Sequence, residues 1–338
     1  MLFSSSYLAR PKVELHLHID CSVSWTALQR LETGLSFEDF RAKFTAPERC
    51  ASLKQYLDAI APSCALLQDA RALQVVTEEL VAELAQDGVI YAELRFAPHT
   101  HLAGGLDLDG VMAAVAQGVR AATDQYAIRV GLILCALRDY SAESNIAVID
   151  LAARWRDRGV VGVDIAGDEA GHPLAHNYAT FDRAHDLGLD ITAHAGEAAG
   201  AESVLEALEK LRPKRIGHGV RCLEDDAVVA LLKARDIHLE VCPSSNVQVG
   251  VFPSLDQHNV DKLSRRGLSL GINTDARTVA PISLSQEYER LESTFGWGPG
   301  EFLAHNLEAA RHAFQPDAIR AELVESLLTG WKSPRSVS

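Results

Sequence analysis

The sequence predicts an α/β chain folded as a (β/α)8 barrel of the TIM type, with a helical insertion after the first strand and extra helices at the C-terminus. Three observations carry this expectation. Eight short β-rich runs recur along the 338 residues. Most are nearly continuous apolar stretches, as in strands buried on both faces of a parallel sheet. Segments with apolar residues three and four apart fill the gaps between them.

The first run, 13–19 (VELHLHI), is followed by a long stretch, 20–88, read as a helical insertion. Within it, 72–86 repeats apolar residues at helical spacing, and Gly88 follows as a stop signal. The second run is 90–97 (IYAELRFA), then a helical pattern over 108–126. The third is 128–137 (IRVGLILCAL), then 146–158; the fourth is 161–167 (VGVDIAG), then 178–187. The fifth is 190–195 (DITAHA), then 201–211; the sixth is 215–219 (RIGHG), then 223–234. The seventh, 238–243 (HLEVCP), and the eighth, 268–275 (LSLGINTD), complete the series. A helical tail runs from about 284 to 330, and 333–338 reads as a disordered end. No linker or repeat interrupts the series, so 1–338 is read as one domain. Such barrels typically need ~250 residues, and the insertion and tail account for the excess.

A hydrophobic content of 47% supports a large core. The net charge of −14 argues against nucleic acid and anionic membrane surfaces as partners. Cys21, Cys50, Cys64, Cys135, Cys222 and Cys242 form no C-x-x-C pair and read as free thiols. No apolar stretch approaches the length of a membrane span, and the first residues lack the pattern of a signal peptide. A cytoplasmic protein is expected.

In such barrels the chemistry sits at the C-terminal ends of the strands. His16 and His18, two apart in the first run, project to one side of a strand. Two buried imidazoles are either core residues with hydrogen-bond partners or ligands of a metal. Further residues of ligand type stand at other strand ends: His194 and Glu197 after the fifth, His218 between two glycines after the sixth, and Asp275 after the eighth. Taken singly, Asp275 suits a helix cap and Glu197 a carboxylate at a helix N-terminus. Together, three imidazoles and a carboxylate suit Zn2+ with one position left open. His99 and His101 form a second H-x-H without acidic residues nearby, and read as structural or substrate-lining.

The segments PKVELHLHID, YAELRFAPH, DIAGDE, HAGE, RIGHG, VCPSSN and INTD, in that order from Pro11 onward, resemble the adenosine/adenine deaminase branch of the metal-dependent amidohydrolases. The resemblance implies one Zn2+ per chain, held by His16, His18, His194 and Asp275. It implies that Glu197 protonates purine N1 and that His218 orients the zinc-bound water and assists its deprotonation. Gly167 would meet the purine through its backbone, and Asp20 would reach the ribose. The implied reaction is zinc-dependent hydrolytic deamination of a small 6-aminopurine nucleoside, adenosine to inosine plus ammonia, by hydroxide attack on C6. Relatives with two metals bridge them by a lysine on a middle strand. No lysine lies between Lys54 and Lys210 here, so one metal is expected.

Two departures bear on the substrate. The family usually carries two consecutive aspartates after strand eight, the second meeting purine N7, whereas this chain reads Asp275-Ala276-Arg277. Arg277 is expected to donate to N7, to hold a substrate carboxylate, or to pair with a local acid such as Glu287. The carboxylate reading suits 6-aminodeoxyfutalosine of menaquinone synthesis, which some members of this branch deaminate. Cys21 stands where relatives often have glycine. A zinc lactone or amide hydrolase on the same barrel is the alternative from another class. The insertion, emerging at the active-site end, is expected to act as a lid.

Overall fold

The computed structural model describes residues 6–332, and the end expected to be disordered, 333–338, lies outside them. The strands are β1 (Lys12–His18), β2 (Val89–Phe96), β3 (Arg129–Leu137), β4 (Val160–Ala166), β5 (Thr192–Ala195), β6 (Arg215–His218), β7 (His238–Val241) and β8 (Leu270–Ile272). They pair in parallel as two four-stranded sheets, β1 to β4 and β5 to β8, in sequence order. The sheets join at both seams. Val163 bridges Ile191, with the Val163 N–H donating to Asp190 O at 2.9 Å. Leu17 bridges Asp275: the His18 N–H donates to Asp275 O at 2.9 Å and the Asp275 N–H to His16 O at 3.0 Å. The ring therefore closes through the backbone of residues expected to hold the metal.

The outer helices start where the sequence supplies side-chain caps. Asp69, Asp107, Ser141 and Asp225 each accept an N–H in the first turn of Ala70–Gln86, Leu108–Thr123, Ala142–Trp155 and Asp226–Ala234. The stretch between β1 and β2 folds into five helices. The last, Ala70–Gln86, packs against β2 and Leu108–Thr123, so it belongs to the barrel wall. The C-terminal helices are likewise part of the architecture: Pro299–His312 packs on β8 and β1 and covers the closing seam. Among the described residues, no helix is long and apolar enough to cross a membrane.

The apolar strand runs conceal a charged interior. Glu93, Arg95, Asp164, Arg215 and Glu240 are fully buried. Arg95 bonds Asp164 and Glu240, each at 2.7 Å, while Arg215 bonds Glu240 at 2.7 Å and also pairs with Glu93. Each charge has an opposite partner, without which its burial would be strongly destabilising.

Candidate active site

Strands β1 and β5 and the loop after β8 bring His16, His18, His194 and Asp275 together, with one ligand-type atom from each within 4.8 Å of the others. His18 Nε2 faces His194 Nε2 at 3.3 Å, and Asp275 Oδ1 lies 3.2 Å from His16 Nε2 and 3.5 Å from His18 Nε2. His16 Nε2 is buried without a hydrogen-bond partner. Converging imidazole nitrogens around one carboxylate oxygen call for a cation, so these residues fit a metal ion. The far sides of two rings are held by acids. His16 Nδ1 is 2.9 Å from Glu240 Oε2, and His194 Nδ1 is 2.9 Å from Asp164 Oδ2. The Glu240 partner keeps the His16 hydrogen on Nδ1 and directs its Nε2 lone pair inward, and Asp164 sets a negative charge behind the His194 ring. Burial opposes the charge on Asp164, yet His194 and Arg95 hold its carboxyl far below the usual carboxylate range. Asp275 Oδ2 accepts from the Ser245 hydroxyl at 2.6 Å. The sequence reading assigned no role to Asp164, Glu240 or Ser245. The first two, like Glu14 and Glu93, are acids inside otherwise apolar strand runs, and that is their visible signal.

Glu197 and His218 stand beside this cluster. Asn246 donates its side-chain amide to Glu197 Oε1 at 2.7 Å and to His218 Nδ1 at 3.1 Å. The same residue's Oδ1 is 3.2 Å from His258 Nε2. Burial, then the negative charges of Asp275 and Glu169, push the Glu197 carboxyl well above its ordinary range. The His218 ring packs against His16 and His194, at centroid distances of 4.8 and 5.2 Å. Burial, followed by the charge of His16, pushes its pKa well down. Both His218 (φ 61°) and Asp275 (φ 65°) adopt the left-handed conformation that side-chain-bearing residues rarely take.

Glu169, in DIAGDE, organises the loop that carries Glu197. Its Oε1 accepts from the Gly196 N–H at 2.6 Å and the Ser203 hydroxyl at 2.5 Å. Its Oε2 accepts from the N–H groups of Glu197 at 3.0 Å, Ala198 at 2.7 Å and Ala199 at 3.0 Å.

The cluster opens into a cavity of about 530 Å³ lined in part by Asp20, Gly167, Glu197 and His218. Burial pushes the Asp20 carboxyl up to about 6. Gly167 adopts a positive φ of 98°, which turns its backbone at the end of β4. The insertion supplies the outer wall, including Leu53, Tyr56, Leu57 and Cys64.

Arg277 is not brought into this cavity. Its guanidinium bonds Asp87 Oδ2 at 2.6 Å and Glu14 Oε2 at 3.3 Å. The expected acid partner, Glu287, instead accepts the Ser244 N–H at 3.1 Å. Buried acids on β1 and at the end of Ala70–Gln86 capture the arginine, and their separation from it in sequence hid the pairing. Ala276 is fully buried against an apolar group that includes Cys21 and Tyr56. His99 and His101 lie outside the metal-type groupings among the described residues, and burial pushes both pKa values down to about 4. His99 packs edge-on against Tyr140, which lines the cavity.

The barrel, the ligand cluster and the adjoining acid and imidazole define a hydrolase that acts on carbon–nitrogen bonds in cyclic amidines. The family model described as adenosine deaminase matches residues 11–329, and the chain belongs to that family. An adenosine deaminase of Mycobacterium sp. (strain KMS) is 36% identical over 342 residues, covering 94% of both chains. The crystal structure of an adenine deaminase from Arthrobacter aurescens superposes with a TM-score of 0.88 at 28% identity, covering 96% of this chain and 100% of that one. An Arabidopsis ADAL structure complexed with IMP gives 0.87 at 28% identity, covering 97% and 99%. Adenine-type compounds are the substrate class of this enzyme.

Proposed function

We infer that the chain binds one Zn2+ through His16, His18, His194 and Asp275 and deaminates adenosine to inosine. The observation that carries this reading is the meeting of the four ligand-type residues with Glu197 and His218 at one end of one cavity. Zinc bound there supplies hydroxide near neutral pH by lowering the pKa of water toward ~7.

The protein's own groups do the rest. C6 of an intact purine resists attack, and a proton placed on N1 makes it electrophilic. Glu197 is buried, with its carboxyl pushed well above its ordinary range, which suits it to give that proton. His218 Nδ1 accepts from Asn246, which leaves the ring hydrogen on Nε2. Of the two tasks expected of His218, this arrangement favours orienting the attacking water. Hydrolysis then joins the water oxygen to C6, breaks the C6–N bond and releases ammonia. The Gly167 backbone offers a polar contact to the purine, and Asp20 offers an acceptor to a ribose hydroxyl.

The acids around the mouth favour a nucleoside over a nucleotide. Asp58, Asp139 and Asp168 line the cavity against one lysine, Lys54, which pairs with Asp58 at 3.0 Å. A 5′-phosphate would meet net repulsion there. With Arg277 engaged elsewhere, the benzoate of 6-aminodeoxyfutalosine loses its proposed cation. Ammonia release from adenosine, adenine, AMP and 6-aminodeoxyfutalosine, measured side by side, tests the reading. Adenosine should give the highest kcat/KM. Release of ammonia from none of the four would favour lactone or amide hydrolysis.

A further inference from the structure

Tyr56 stands in the wall of the substrate cavity on the short helix Leu53–Asp58 of the insertion. The residue is 3% exposed, and its hydroxyl is buried with no hydrogen-bond partner. Its body belongs to a small apolar cluster that also contains Cys21, Cys50, Val249, Ala276 and Val279. Ser245 lies close enough to the hydroxyl to act on it, and Asp275, Cys21 and Glu197 bear on it through charge. Their polar atoms are largely committed. The Ser245 hydroxyl is given to Asp275 Oδ2, Asp275 Oδ1 faces the histidines, and Glu197 Oε1 takes the Asn246 amide. A buried hydroxyl costs free energy while it lacks a partner. Here it adjoins a ligand cavity, and an acceptor on a bound ligand can satisfy it.

The purine reading above, on which this inference rests, fixes which acceptor that is. With C6 at the metal ligands and N1 toward Glu197 beyond β5, the other edge of the ring turns toward the β8–β1 side. Asp275, Ala276 and Cys21 stand there. The edge atom is N7, which carries a lone pair and no hydrogen in a 6-aminopurine nucleoside. Ala276 offers no polar side chain, and the Arg277 guanidinium is held by Glu14 and Asp87. We propose that the Tyr56 hydroxyl donates a hydrogen bond to N7 of the bound purine. A phenol keeps its proton to roughly pH 10, so the donor is present wherever the enzyme works. Tyr56 is thus a specificity residue, and it couples the position of the insertion to recognition of the imidazole edge of the base.

The test compares inosine with 7-deazainosine, in which a C–H replaces N7, as inhibitors of the zinc-loaded wild type and of Tyr56→Phe. The wild type should prefer inosine about tenfold, the weight of one hydrogen bond. In Tyr56→Phe the ratio should fall to about one, and kcat/KM for adenosine should drop by a similar factor. Without ligand, the variant should melt at or above the wild-type temperature, because an unpaired buried hydroxyl has been removed; a merely structural role would lower it. A preference retained in the variant overturns the proposal. So does a wild-type ratio near one, which needs no variant to be measured. A wild type that neither binds inosine nor turns over adenosine overturns the purine reading itself.

Discussion

Glu169 Oε2 accepts the backbone N–H of Glu197 at 3.0 Å, so one buried carboxylate positions the backbone of another. Four further donors converge on the same group: the N–H groups of Gly196, Ala198 and Ala199, and the Ser203 hydroxyl. Glu169→Gln keeps the size but turns an NH2 toward some of these donors. The loop should lose about 1–3 kcal/mol of support, and Glu197 should drift from its place. A displacement near 1 Å can cost about 100-fold in rate. The expected outcome is a kcat lower by about 10- to 100-fold with KM little changed and a reduced melting temperature. An unaltered kcat in a folded variant would show that Glu169 does not position Glu197.

Glu197 itself should show opposite effects on rate and stability. Glu197→Gln cannot give a proton, so kcat should fall by about 10²- to 10⁴-fold. Burial raises the folded-state pKa above that of the unfolded chain. The folded state then binds more protons, so the group's contribution to stability is full at low pH and lost as pH rises through the folded pKa. Glu197→Gln should therefore match the wild type in stability near pH 4 and exceed it at pH 8. Activity of the wild type should decline on the alkaline side as the acid ionises, and thermal melts at both pH values check the stability arm. A variant less stable at pH 8 than at pH 4, relative to wild type, would contradict the protonated acid.

The strands and the convergent residues were legible because each left a local mark: a run of apolar residues, or a histidine or acid at its end. His16, His18, His194, Glu197, His218 and Asp275 all reached one site, although four different strands deliver them. Residues that act on these groups rather than on a ligand left weaker marks. Asn246 is an ordinary amide in a helix after β7, and only the fold shows it between Glu197 and His218. For Arg277 the sequence allows two kinds of substrate contact and a pairing with a local acid. Its direction was set by Glu14 and Asp87, some 260 and 190 positions away. Tyr56 carries no mark in the sequence, and its unpaired hydroxyl is a property of the assembled pocket alone.

Asp164 provides a test of the metal centre that leaves the ligands intact. It lies 2.9 Å from His194 Nδ1 and also bonds Arg95 at 2.7 Å. Asp164→Asn keeps the shape but removes the negative charge beside His194 Nδ1. Loss of such a partner typically weakens metal affinity about 10- to 100-fold. Zinc competition against a chelator should show that shift, and the wild type should hold one equivalent of metal by elemental analysis. Two tightly held equivalents, or an Asp164→Asn affinity equal to wild type, would count against a single centre supported from beneath.

Arg277 decides between a substrate contact and a structural ion pair. Its guanidinium is enclosed, with Asp87 at 2.6 Å and Glu14 at 3.3 Å. Asp87 also accepts the N–H groups of Leu284 at 2.9 Å and Ser285 at 3.3 Å, so it joins the end of Ala70–Gln86 to the start of Leu284–Phe295. Arg277→Met fills similar space but strands two buried acids, and removing one partner of such a pair costs about 3–5 kcal/mol. Burial already raises the Glu14 pKa against the pull of Arg277. Without the arginine the shift should grow, and protonation of Glu14 should relieve part of the loss. The deficit relative to wild type should then be smaller at pH 5 than at pH 8, because a raised folded-state pKa gives stability that disappears as pH rises. The ratio of kcat/KM between adenosine and 6-aminodeoxyfutalosine should stay at its wild-type value in the folded variant. A changed ratio with unchanged stability would return Arg277 to the substrate.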